Sequence, residues 1–92
     1  TKVKGMFVHP SQVLAVASRH PEVRRARLVV ENPNLSDVMI LECEVAQGDE
    51  GLSQAIETTL REITKLRGEV RFVPPGSLPN DGKVIDDRRK YD

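Results

Sequence analysis

The chain has 92 residues, and its 14 Lys and Arg balance 14 Asp and Glu to a net charge of zero. A chain of this length supports one domain with one modest core, burying roughly 60–65% of its unfolded surface, and cannot build a deep, fully enclosed active site. Zero net charge gives no global field toward nucleic acid or an anionic membrane, and no apolar run reaches the ~18 residues that a spanning helix needs.

Residues 3–8 form a β-compatible run. Pro10 then supplies the fixed φ that suits the first turn of a helix reaching about residue 19, with Val13, Leu14, Val16 and Ala17 as its apolar face. His20-Pro21 ends that helix, because the residue before a proline is pushed out of the helical region. Residues 24–31 alternate Arg25, Arg27 and Glu31 with Ala26, Leu28 and Val30, which predicts a strand. The turn signal Asn32-Pro33-Asn34-Leu35-Ser36-Asp37 joins it as a hairpin to a second strand over 38–46. After the break Gly48-Asp49-Glu50-Gly51, the apolar residues Leu52, Ile56, Leu60, Ile63 and Leu66 fall at helical spacing. Ser53 is a candidate cap for this helix, Lys65 and Arg67 complement the dipole at its end, and Gly68 is its expected terminator. Residues 69–73 complete the pattern as a short strand. The order predicts an α+β fold: a ferredoxin-like βαββαβ sandwich over residues 1–92, with two helices on one face of a mainly antiparallel sheet, then a Pro/Gly-rich loop and a short tail.

That loop, Val73-Pro74-Pro75-Gly76-Ser77-Leu78-Pro79-Asn80-Asp81-Gly82-Lys83, surrounds one lysine with residues that forbid helix. Lys83 is thereby displayed, either as an ammonium that meets an anion or as an ordinary solvated side chain. Other candidate chemistry is thin. Cys43, the single cysteine, excludes an internal disulfide and a cysteine-based zinc site. Between Glu42 and Glu44 it reads as a small core hydrophobe, because a reactive thiolate wants a positive setting. His9 and His20 lack ligand spacing, so no metal site is expected, and His9 beside Pro10 reads as a local structural residue. RNA-binding versions of this fold stack bases on sheet aromatics, whereas only Phe7, Phe72 and Tyr91 are aromatic here. Arg19, Arg24, Arg25 and Arg27 form a basic patch that reads as a solvated face or a domain contact. A reducing, cytoplasmic setting is expected. The chain starts without Met inside a strand-like run, as a fragment or processed product would.

Two segments read together carry a family pattern: Val3-Lys4-Gly5-Met6-Phe7-Val8-His9-Pro10-Ser11-Gln12-Val13, and the loop just quoted with its continuation Val84-Ile85-Asp86-Asp87-Arg88. They resemble the small C-terminal domain of adenylate-forming enzymes, and within that superfamily phenylacetate-CoA ligase. The first matches a basic residue and glycine, an apolar run and Pro-Ser-Gln; the second matches Gly-Ser-Leu-Pro followed by a Gly-Lys pair. Asn80-Asp81 make a shorter spacer than such tails usually have, and Leu14 stands where an acidic residue is common.

The resemblance implies a mobile domain of an acyl- or aryl-CoA ligase, which forms an acyl-adenylate from ATP and a carboxylic acid and then a coenzyme A thioester. Lys83 would be the catalytic lysine of adenylation, supported by Pro79 and Gly82, and Lys4 and Gly5 would line the CoA channel. This domain would hold no cofactor of its own; ATP, coenzyme A and magnesium belong to the intact enzyme. Its partner would be its own large N-terminal domain, with the carboxylic acid, ATP and CoA at their interface. The isolated chain is expected to be inactive, and a homodimer stays open. Two other readings stay open from the residues alone: a ferredoxin-like regulatory or small-ligand-binding module, and a structural interaction domain.

Overall fold

Hydrophobic alternation sets the central hairpin in the computed structural model, which describes residues 2–79 and 82–89. Strand β3 (Ala26–Glu31) pairs antiparallel with β4 (Val38–Glu44), placing Leu28 opposite Leu41 and Val30 opposite Met39. These four side chains and Cys43 are buried with Val13 and Val16 of helix α1 (Pro10–Ser18) and Ile56 and Leu60 of helix α2 (Glu50–Thr64). Both helices therefore cover one face of the sheet, as expected. Burying each Leu, Ile or Met contributes about 1.5–3 kcal/mol, and a one-residue slip of β4 would turn Met39, Leu41 and Cys43 away from the helices. Strand β5 (Glu69–Val73) adds parallel to β4 on one side, and β6 (Ile85–Asp87) adds parallel to β3 on the other, giving the order β5-β4-β3-β6.

The α+β class and its layering hold, with a mixed four-stranded sheet in place of a mainly antiparallel one: β3–β4 is antiparallel, and β3–β6 and β4–β5 are parallel. The segment expected to open the sheet doubles back on itself instead. Strands β1 (Lys2–Val3) and β2 (Met6–Phe7) form a separate two-stranded hairpin around Lys4 and Gly5, whose φ values are 50° and 80°. Two consecutive positive φ angles make the two-residue turn that matches strand twist, and Gly5 takes its place in it without penalty. Met6 and Phe7 remain 44% and 64% exposed, whereas Val3 and Val8 are buried in the core, so the hairpin docks through those two side chains without pairing with the main sheet. The edge beside β3 goes to β6, whose Ile85 packs against the core.

The second helix begins earlier than Ser53 would place it. Asp49 is the cap, its Oδ1 accepting from the Leu52 amide at 2.8 Å. The helix ends at Lys65, which itself adopts the left-handed conformation (φ 64°). Gly68 is needed for packing rather than termination: a Cβ there would stand 2.7 Å from Leu60 Cδ2 and 3.3 Å from the Met39 carbonyl oxygen.

Candidate functional site

The face of the sheet away from the helices holds the first half of the site. Glu44, one residue beyond the core-facing Cys43, is only 2% exposed, although simple alternation would give it to solvent. What covers it is the proline-rich loop. Ser77 N–H bonds back to the Pro74 carbonyl at 3.1 Å, closing a turn in which Gly76 has φ 83°, the conformation this position of a type II turn requires. The turn aims two amides at Glu44: Gly76 N–H donates to Oε1 and Leu78 N–H to Oε2, each at 2.9 Å. These bonds hold the Glu44 carboxyl below the usual range, the Gly76 amide contributing most and the Leu78 amide next, while burial opposes them and Arg25 and Arg24 add smaller attraction.

Two arginines take the loop's carbonyls. Arg25 donates to Leu78 O at 3.4 Å and to Pro79 O at 3.3 Å, and Arg27 donates to Pro79 O at 3.1 Å. Downstream, Gly82 has φ 77° and Lys83 is exposed, after which the Val84 carbonyl accepts the Leu28 amide at 2.9 Å as β6 begins. Lys83 is thus bracketed: Pro79 is fixed before it and Val84 immediately after it. The spacer Asn80-Asp81 lies outside the described residues.

The second half of the site is at the other end of the sheet. The Lys4 amide donates to Asp37 Oδ2 at 3.1 Å, tying the β1–β2 turn to the residue that precedes β4. Arg89, whose side chain is 9% exposed, donates to the same Asp37 oxygen at 3.1 Å, to the Lys2 carbonyl at 2.7 Å and to Asp87 Oδ2 at 2.7 Å. Chiefly through the Arg89 side chain, the Asp87 carboxyl is held below its ordinary range. A Cβ on Gly5 would find no atom within 4 Å, so space lies open above this turn. A groove of about 210 Å³ runs beside it, lined by residues including Lys4, Asp37, Arg67 and Gly68.

The chain from Lys83 through β6 to Arg89 takes six residue steps, at most roughly 20 Å at ~3.3 Å per step. The two sequence motifs are therefore separated along the sheet, one at the start of β3 and β6 and one at their far end.

Comparison with known proteins adds a family to this geometry. Residues 5–89 match the model of the AMP-binding enzyme C-terminal domain. The chain belongs to that family. Among solved structures, this AMP-binding C-terminal domain is similar to a domain of phenylacetate-coenzyme A ligase from Bacteroides vulgatus ATCC 8482, with TM-score 0.87 and 26% identity over 98% of this chain and 92% of that one. It is also similar in fold to 2-hydroxyisobutyryl-CoA ligase. The TM-score is 0.84 to that enzyme in complex with 2-HIB-AMP and CoA in the thioesterification state, and 0.77 to it in the postadenylation state with R3-HIB-AMP, both at 19% identity. The alignments cover 97% and 96% of this chain, which spans 21% of that ligase. A comparison with curated proteins gives no match.

Within the C-terminal domain, the sequence-predicted residues divide between the two ends. Pro79, Gly82 and Lys83 fall together at one, and Lys4 and Gly5 at the other. Arg25 and Arg27, expected on a solvated face or domain contact, instead hold loop carbonyls, and Arg27 is only 4% exposed. Sequence reasoning missed Glu44, Asp37 and Arg89. The signal for Glu44 is indirect: a Gly- and Pro-rich loop offers amides that its own turns do not use. Cys43 is fully buried, and desolvation pushes its thiol up to about 12, consistent with a core hydrophobe. His9 makes a local contact, whereas His20 ties the end of α1 to α2. The His9 amide is capped by Gln12 Oε1 at 2.9 Å, and His20 Nε2 meets Thr59 Oγ1 at 2.8 Å.

Proposed function

We propose that this is the mobile C-terminal domain of an ATP-dependent acyl- or aryl-CoA ligase, and that its two ends serve the two half-reactions in turn. The observation that carries the reading is the placement of Lys83 and the Lys4-Gly5 turn at opposite ends of one sheet. A single rigid body cannot bring both to one reaction centre at once, so it would have to pivot. The ligase structures of similar fold support this reading, since one is in a postadenylation state and another, with CoA bound, is in a thioesterification state.

In the first step the acid's carboxylate attacks the α-phosphorus of ATP, forming the acyl–phosphate bond and expelling pyrophosphate. Negative charge accumulates where two anions meet. The Lys83 ammonium, presented on an anchored loop at a domain interface, would stabilise that charge more strongly than a solvated cation could. In the second step the thiol of coenzyme A attacks the acyl carbon, its proton leaves, and AMP departs. Gly5 would let the pantetheine arm pass close to backbone, and the open space above it is compatible with that passage. Magnesium accompanying ATP, which takes mostly phosphate and water oxygens with one or two carboxylates, would be held together with the nucleotide by the intact enzyme. Selection of the acid belongs to the large domain; an aryl acid such as phenylacetate is the first to assay, given the 26% identical domain.

The test uses the intact ligase. Lys83→Ala should slow acyl-adenylate formation by about 10²–10³-fold while thioester formation from supplied acyl-adenylate survives. Equal loss of both steps, or retention of both, would overturn the assignment.

A further inference from the structure

The loop carrying Lys83 is built from outside itself. Its residues supply few of their own constraints: two prolines and a glycine shape the turn at 74–77, but nothing in that turn fixes its position over the sheet. Three side chains do. Glu44 takes the amides of Gly76 and Leu78, one on each carboxylate oxygen, while Arg25 and Arg27 take the carbonyls of Leu78 and Pro79. Leu78 is held on both sides of its peptide unit and is itself only 8% exposed. All three side chains stand on the β3–β4 hairpin, where Glu44 N–H bonds to Arg25 O at 2.8 Å and Arg24 N–H to Glu44 O at 2.9 Å. The clamp is therefore referenced to the open end of the central hairpin.

We propose that Glu44, Arg25 and Arg27 are positioning residues for adenylation, fixing the approach of Lys83 through the loop backbone without touching substrate. The inference rests on the reading of Lys83 given above. Electrostatic stabilisation depends steeply on placement, and a misplacement of about 1 Å can cost on the order of 100-fold in rate. Glu44 suits the task because a carboxylate accepts two convergent amides and offers no donor to repel either. A carboxamide can satisfy one amide with its oxygen and must turn an N–H₂ group toward the other.

Glu44→Gln is therefore the informative variant, with Arg25→Ala as the second. In the 92-residue chain, amide exchange followed by NMR should show Gly76 and Leu78 protected in the wild type and exposed in Glu44→Gln, with the protection of Leu28 and Leu41 unchanged. In the intact ligase, Glu44→Gln and Arg25→Ala should each lower kcat for acyl-adenylate formation about ten- to a hundredfold. KM for ATP and for the acid should move less than threefold, and thioester formation from supplied acyl-adenylate should be retained. Glu42→Gln, which alters another β4 carboxylate, paired with Arg71 of β5, should leave both steps unchanged.

Loss of Gly76 and Leu78 protection with full adenylation activity would overturn the positioning role while leaving Lys83 in place. Equal loss of both half-reactions would reduce the clamp to a stability element and also overturn it. If Lys83→Ala itself spares adenylation, the reading of Lys83 fails first and the clamp proposal with it. Should Glu44→Gln fail to fold, the Arg25→Ala half-reaction ratio decides by the same criteria.

Discussion

Substitution of Gly5 separates the two demands placed on that residue, a left-handed backbone and an empty volume. With φ at 80° and no atom within 4 Å of a built Cβ, Gly5→Ala meets no clash, and its cost is backbone strain alone. That strain is about 1–2 kcal/mol, offset by about 0.4–1 kcal/mol because alanine narrows the unfolded ensemble, leaving about 1 kcal/mol of net destabilisation. For a domain of this size the melting temperature should fall by roughly 4–8 °C. Gly5→Asn tolerates the left-handed region and should melt close to the wild type. Catalysis should rank the variants in the opposite sense. Both side chains fill the open volume, asparagine more than alanine, so thioester formation in the intact ligase should decline from wild type to Ala to Asn while adenylation stays constant. Circular-dichroism melts of the 92-residue chain and stopped-flow assays of each half-reaction supply the two rankings. Thioester rates that follow the melting temperatures, with Asn faster than Ala, would refute the reasoning.

Two further outcomes follow from the ion pairs and from the carboxylates held below their ordinary range. Arg89→Ala removes the link among Lys2, Asp37 and Asp87, and should destabilise the chain by about 1–3 kcal/mol, discounted for partial exposure of the two carboxylates. Urea titration should show this together with faster amide exchange at Lys4; an unchanged midpoint would contradict the link. Acid should weaken the fold through Glu44 and Asp87, whose carboxyls are both held below their ordinary values. The unfolded chain then binds more protons, so their contribution is fully present above about pH 4.3, the free glutamate value, and is lost as pH falls through the lower folded values. A pH series of urea midpoints should be steeper for the wild type than for Glu44→Gln, and equal slopes would contradict the assignment.

The sequence reveals most of the fold because its apolar spacing obeys two clean periods. Leu28, Val30, Met39, Leu41 and Cys43 alternate as strands must, and Ile56 and Leu60 repeat as a helix must, so class, order and helix face are all readable. The first strand misled because Val3, Met6, Phe7 and Val8 have strand-like composition, and Lys4-Gly5 lacks the Asn or Asp that normally flags a two-residue turn. The last strand escaped notice because Ile85–Asp87 spans three residues and draws its stability from pairing with β3. Of the site, the two end motifs were legible as motifs, but their separation was not, since it depends on the direction in which β6 runs. Glu44, Arg25 and Arg27 were hidden for a different reason. Alternation assigns them to the face without helices, and only the path of the proline-rich loop decides whether that face is wet.

The most direct measurement is a paired assay of both half-reactions on Lys83→Ala and Gly5→Asn in the intact ligase. A domain that turns opposite ends toward one active site predicts a crossed pattern. Lys83→Ala should lose pyrophosphate release and keep thioester formation from supplied acyl-adenylate, and Gly5→Asn should do the reverse. Parallel losses in the two variants, or no loss in either, would contradict it.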